Sequence, residues 1–200
     1  MTNTPIVLMM VGAIALTIGA VYAFVPTNVP IQGLQIQGPK ALGHIELVLT
    51  DENGNVKAYR QTDNLVVNRG VYMTSDKLFG TSLVGGATSA AFNNVGIGTG
   101  TTSATSGDTN VQTQLSNRKT GAVTSVTGSS TGAQIQAFFG AGKLKNGSGT
   151  TAVTEAGLFD TFVNGTGNLY ARQTFTAINA GSSDSLTVTW SITFADSDAT

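Results

Sequence analysis

The chain contains no cysteine, which excludes disulfides, thiolate metal sites and thiol nucleophiles. It has one histidine, His44, too few imidazoles for a typical zinc site, and a Ser-His-Asp triad would have to hang on that residue alone. A histidine at the start of a strand reads more simply as part of the sheet surface. Charge is also scarce. Charged residues make up 10% of the chain, against about a quarter in ordinary soluble domains, so hydroxyls and amides do most of the solvation. The net charge is −1, with none of the basic stripe that nucleic-acid binding requires. No Lys or Arg precedes Lys40, so the positive-inside rule orients nothing at the N-terminus.

Carboxylates are few and badly placed for chemistry. The three Glu are Glu46, Glu52 and Glu155, and most of the eight Asp fall in turn-like sequence, where Asp is favoured for local hydrogen bonding. Glycoside hydrolysis needs two carboxylates facing each other. Glu155 and Asp160 are five apart, which on a strand sends them to opposite faces. Glu155 sits inside an apolar strand and so needs a partner, and Arg172 in the next strand is the natural one, as a structural pair. Asp51, Asn53 and Asn55 have the spacing that opens a calcium loop, but Val56 stands where Gly is expected and Thr62 where Glu is. Gly96-Ile-Gly-Thr-Gly100 superficially offers a dinucleotide fingerprint. The Thr-Thr-Ser-Ala-Thr-Ser run after it is poor helix material, so a strand followed by a flexible exposed loop, Thr99–Thr109, is the better reading. This inventory implies no enzyme, no cofactor and no metal.

What the chain does have is period-2 alternation. From Ser185 to Phe194 the residues Leu186, Val188, Trp190, Ile192 and Phe194 alternate with Ser and Thr, which places the large side chains on one buried strand face. His44–Thr50 alternates likewise through Ile45, Leu47 and Leu49. Asn53-Gly54 then turns it into a hairpin with Val56–Arg60. Further strands are expected at Leu65–Val67, Val95–Gly98, Thr120–Val126, Gln134–Ala141, Ala152–Val163 and Leu169–Ile178, with one short helix in Asn68–Phe79. Short strands joined by Gly, Asn and Ser turns predict an all-β domain over residues 42–200, an antiparallel β-sandwich or jelly roll.

Two segments precede it. Ile6–Val25 is an uncharged apolar run of 20 residues, long enough to cross a membrane as a helix. Within the region 1–26 it reads as a signal with Val21-Tyr22-Ala23 as its cleavage site, as an anchor, or as a helix packed among its own copies in a filament. Residues 27–41 carry Pro30 and Pro39 and read as an extended linker or as a strand donated to a neighbour, with Ile31, Leu34 and Ile36 as its assembly residues. Tyr59, Tyr72 and Tyr170 are candidate exposed aromatics for subunit contacts or carbohydrate. Asn146-Gly-Ser148 and Asn164-Gly-Thr166 are candidate glycosylation acceptors in turns.

The segments Glu155-Ala-Gly-Leu-Phe159, Ala171-Arg-Gln-Thr-Phe175 and Ser185–Phe194, with Ile97-Gly-Thr-Gly-Thr-Thr102 upstream, resemble β-rich modules of tailed-virus virion proteins found in tails, fibres and head decorations. The resemblance covers roughly the C-terminal half and implies a non-enzymatic structural or attachment role. The N-terminal apolar run departs from it. In overall architecture the chain is similar to secreted subunits of archaeal pili and threads. The expectation is a self-associating extracellular or cell-surface subunit, its partners copies of itself and a membrane at residues 6–25. The second expectation is a virion protein or tethered adhesin presenting loops to a receptor or glycan.

Overall fold

Alternation on three strands, brought into one register, builds the core. The computed structural model describes residues 40–79, 91–126, 132–144 and 149–195. All described residues lie within the unit Gly38–Thr200. Their elements are β1 (Lys40–Thr50), β2 (Val56–Val66), helix α1 (Asn68–Phe79), β3 (Asn94–Gly98), β4 (Lys119–Thr120), β5 (Ala122–Ser125), β6 (Gly132–Phe139), β7 (Thr151–Phe159), β8 (Leu169–Ala180) and β9 (Ser185–Ala195).

Every strand pair is antiparallel, and the sheet runs β4-β3-β7-β8-β2-β1-β9-β6-β5. The expected antiparallel all-β architecture is therefore present, as one continuous sheet curled until it is nearly closed. The two ends of the order, β4 and β5, are separated in sequence by Gly121 alone, whose N–H donates to the Asn93 carbonyl at 2.7 Å. A Cβ at Gly121 would lie 2.7 Å from Ile135 Cγ2 and 2.9 Å from the Gln136 carbonyl oxygen. The strand expected over Thr120–Val126 accordingly breaks there into β4 and β5, one at each edge of the sheet.

Across β1, β9 and β6 the registers align in rows: Ile45–Trp190–Ile135, Leu47–Val188–Ala137 and Leu49–Leu186–Phe139. All nine side chains are buried, each apolar one of Leu or Ile size contributing roughly 1.5–3 kcal/mol by burial. A one-residue slip would turn all of them to solvent, so the pattern fixes the register. The facing wall supplies Val95, Ile97, Val153, Ala156, Leu158 and Ile178 to the same core.

Phe194 departs from expectation. It shares the face of its four predecessors, but it is 39% exposed. The next row is Gly43–Ile192–Ala133, and beyond it Phe194 faces Ala41. These small partners leave the end of the core open as an apolar mouth of about 500 Å³, lined by Phe92, Ile135, Tyr170, Ile192 and Phe194 among others. Tyr170 corrects a second expectation: it is buried, its ring centroid 4.9 Å from that of Phe92. Tyr59 and Tyr72 are exposed, at 45% and 48%.

The pieces expected at Val56–Arg60 and Leu65–Val67 are one strand. Gln61–Asn64, polar and easily read as a break, continues β2 with alternating exposure because its outer face is solvated. β2 pairs with β1 along its length but with β8 only at Leu65–Arg172 and Val66–Ala171. Beyond that point the strands part around a polar cleft of about 480 Å³, lined by Arg60, Thr62 and Phe175 among others. Arg60 beside this gap, and a register shift that leaves three β8 residues (Phe175 to Ala177) against one on β7 (Thr154), both discourage edge pairing.

Among the described residues no helix is long and apolar enough to cross a membrane. The run Ile6–Val25, the strand-like piece with Ile31, Leu34 and Ile36, and the sequon at Asn146 lie outside the described residues.

Candidate functional site

Two fully buried charges, Glu155 and Arg172, share the outer face of β7 and β8. Register places Glu155 opposite Thr174 and Arg172 opposite Gly157, so the two are diagonal neighbours on one face. Arg172 donates from Nε and Nη2 to Glu155 Oε2 at 3.0 and 2.8 Å, and both side chains are fully buried. Glu155 also accepts three backbone N–H groups: Gly100 and Thr113 on Oε1, at 2.9 and 2.8 Å, and Gln112 on Oε2 at 2.9 Å. Burial pushes its pKa up, but these donors outweigh burial and hold the carboxyl below the ordinary glutamate value.

The segment supplying those N–H groups, residues 99–113, contains Thr99–Thr109, the stretch expected to be a flexible exposed loop. Its tip is exposed, but its two ends are strapped to the sheet. Thr154 Oγ1 donates to the Gly100 carbonyl at 2.8 Å. Arg172 reaches further along the loop, to the Thr102 carbonyl at 3.0 Å and to Asp108 Oδ2 at 2.8 Å. Asp108 in turn accepts the Thr105 N–H and hydroxyl. Burial raises its pKa, and the Thr105 and Arg172 contacts more than reverse that shift.

The glycine run now has a physical reason. A Cβ at Gly98 would lie 2.4 Å from Glu155 Oε1 and 2.5 Å from the Thr113 carbonyl oxygen; at Gly100 it would lie 2.5 Å from the same Oε1. These glycines let backbone approach an anion, as in a phosphate-binding loop, but the anion is the chain's own carboxylate.

A second brace centres on Arg118, which is buried with its guanidinium 3.4 Å over the Phe159 ring centroid. It donates to the carbonyls of Thr161 and Thr166 at 3.2 and 2.7 Å, and to Asn110 Oδ1 and Gln114 Oε1. Burial lowers its pKa to about 10, so it stays charged at neutral pH. Asp160 accepts the Asn168 N–H and side-chain amide at 2.7 and 2.6 Å, while Arg69 of α1 donates to Asn168 Oδ1. The turn at 161–168 is thereby fixed at both ends. It presents Phe162 (61% exposed) and Val163 (44% exposed), with the sequon residue Asn164 exposed at its tip.

Sequence reasoning singled out Glu155 because it is a charge inside an apolar strand, and Arg172 as the natural partner in the next strand. Asp108 and Arg118 it missed. Both come from irregular sequence, where no periodicity shows which side chain turns inward; the only available signal is that charge is rare in this chain. Other charged residues fasten the strands and hairpins of the sheet. His44 Nδ1 lies 3.2 Å from Asp63 Oδ1. Asp51 closes its hairpin by accepting the N–H groups of Asn53 and Asn55 and the Asn55 amide. Lys57 pairs with the buried Asp184 at 2.6 Å. Among the described residues no group of three or more His, Cys, Asp or Glu is arranged to hold a metal ion.

No family model, curated protein or solved structure matches this chain.

What the arrangement does chemically is hold backbone. Both Glu155 oxygens are filled by donors, and the carboxyl is kept ionised away from solvent. Two guanidinium hubs, each buried, tie the segments 99–113 and 161–168 to the sheet.

Proposed function

We propose that this chain is a non-enzymatic structural subunit of an extracellular filament or surface assembly, a rigid β-barrel-like head of sandwich type joined to an N-terminal assembly segment. The observation that carries the reading is the use of the buried charge. Glu155, Arg172, Asp108, Arg118 and Asp160 all brace loops against strands, which suits a protein whose task is to keep a shape. Low surface charge favours close packing of copies, and a chain without disulfides gains stability from neighbours that bind only the folded form. In this reading Ile6–Val25 packs among its copies as a helix. Residues 27–41, with Ile31, Leu34 and Ile36, link it to the head or lend a strand to the next copy. The resemblances to virion modules and to archaeal filament subunits support the same class of function.

Negative-stain electron microscopy of the protein from its native extracellular or membrane fraction tests this. Regular filaments or lattices are expected. Dispersed monomers at high concentration would overturn the reading. Virus-like particles would move the protein to the virion. One observation favours a second reading, a receptor-binding or adhesin module: the braced turn presents Phe162 and Val163 to solvent.

A further inference from the structure

A groove lies where the start of α1 meets the loop at 105–109. It encloses about 400 Å³ and is lined by Asn68, Arg69, Tyr72, Ser106, Asp108 and Thr109. Its walls come from separate parts of the chain, and each is fixed. The Asn68 N–H donates to the Ser106 carbonyl at 2.9 Å, which joins the helix directly to the loop. Arg69 is held by Asn168, itself held by Asp160. Asp108 is held by Thr105 and by the buried Arg172. A groove made in this way loses little conformational freedom when occupied, which is the condition for affinity from a small contact area.

The lining combines two kinds of chemistry. Asn68, Ser106, Thr109 and Asp108 offer amide, hydroxyl and carboxylate groups within one small concavity. Asp108 Oδ1 receives a single side-chain donor, Thr105 Oγ1, and keeps acceptor capacity. Tyr72 adds an aromatic ring that is about half exposed although it sits on a helix with a buried face available through Met73. An exposed ring beside convergent polar groups suits a ligand with an apolar face and a rim of hydroxyls. A pyranose ring has that form: its axial C–H groups pack on the aromatic face while its hydroxyls pair with carboxylate and amide. A peptide anchor would call for an apolar pocket, which this groove is not.

We infer that this groove is a saccharide-binding site, with Tyr72 as the stacking platform and Asn68 and Asp108 as hydroxyl partners. This function goes beyond assembly and does not depend on it. A filament subunit carrying it would bind glycans repeatedly along its length, raising avidity without tight single-site binding.

The test uses the whole chain on a glycan array, followed by saturation-transfer NMR with methyl glycosides of glucose, galactose, mannose and N-acetylglucosamine, and with sialyllactose. At least one probe is expected to bind. Tyr72→Ala should weaken that binding about tenfold or more, Tyr72→Phe should retain it, and Asn68→Ala should weaken it. Phe138→Ala, an exposed aromatic on β6, should leave it unchanged. Asn68 and Tyr72 are exposed, so these variants are expected to fold, and circular dichroism checks that they do. Absence of binding to every probe by the folded protein overturns the inference, and so does binding that survives Tyr72→Ala. Filaments seen by microscopy in the Tyr72→Ala protein would show that assembly stands apart from this site.

Discussion

Replacing Glu155 by Gln changes no volume and removes one charge, so it isolates what the buried carboxylate does. Glu155 accepts two backbone N–H groups on Oε1 and one backbone N–H plus two guanidinium N–H groups on Oε2. A glutamine has one carbonyl oxygen and one NH₂. If the NH₂ takes the Oε1 position it meets two donors, and if it takes the Oε2 position it meets three. No flip avoids donor against donor. Breaking a buried ion pair at one partner costs about 3–5 kcal/mol, and the orphaned donors add to it. Against a total stability of roughly 5–15 kcal/mol, that is a large fraction.

The single tryptophan, Trp190, is fully buried, so its fluorescence reports the core during urea unfolding. With a slope of about 2 kcal/mol per molar urea, Glu155→Gln should lower the midpoint by roughly 1.5–2.5 M. The double variant Glu155→Leu with Arg172→Met sharpens the test. Buried ion pairs can often be replaced by apolar residues at no cost, but here Gly100, Gln112 and Thr113 would still lack an acceptor. The double variant should therefore remain destabilised by at least about 2 kcal/mol. If Glu155→Gln costs less than about 1 kcal/mol, or if the apolar pair restores full stability, the carboxylate is not the fastener described.

Acid should loosen the same brace. The folded pKa values of Glu155 and Asp108 lie below their ordinary values of 4.5 and 3.8. Their contribution is therefore complete above those values and is lost as pH falls through the folded ones. Urea midpoints should be level from pH 8 to 5 and fall below that range, and Glu155→Gln should show a shallower fall. Gly98→Ala should destabilise by about 1–3 kcal/mol through overpacking against Glu155 and the Thr113 carbonyl, read by thermal melting. Arg118→Lys keeps a charge but loses the planar fork that joins the Thr161 and Thr166 carbonyls, both on Nη1, to Asn110 on Nη2 and Gln114 on Nε. Hydrogen exchange should quicken selectively across 161–168, and uniform exchange would contradict the bracing role. Trp190→Phe removes an indole N–H that has no partner among the described residues. The gain offsets the lost volume, so stability by circular dichroism should change by under about 1 kcal/mol, where large-to-small core changes usually cost more.

Alternation settled much of this protein in advance. Ile45, Leu47 and Leu49, Ile135, Ala137 and Phe139, and Leu186, Val188 and Trp190 each mark a strand and its inner face, because a side-chain period of two is a local property of extended backbone. Asn53-Gly54 marked the hairpin, and the short helix α1 followed from its flanking sequence. The need of Glu155 for a cation was also legible, since a charge cannot be buried alone. What the sequence did not contain was distance between segments. That β2 continues through Gln61–Asn64, that the sheet curls until β4 nearly meets β5, and that Phe194 and Tyr170 exchange expected environments all depend on which residues lie across the gap. Small partners at Gly43, Ala133 and Ala41 open one end of the core over Phe194, and Phe92 closes over Tyr170. The braces show the division most clearly. Asp108 lies 64 positions and Gly100 55 positions from the residues they bond, and no periodic signal spans such separations. Tertiary structure alone decided that the glycines at 98 and 100 admit a carboxylate.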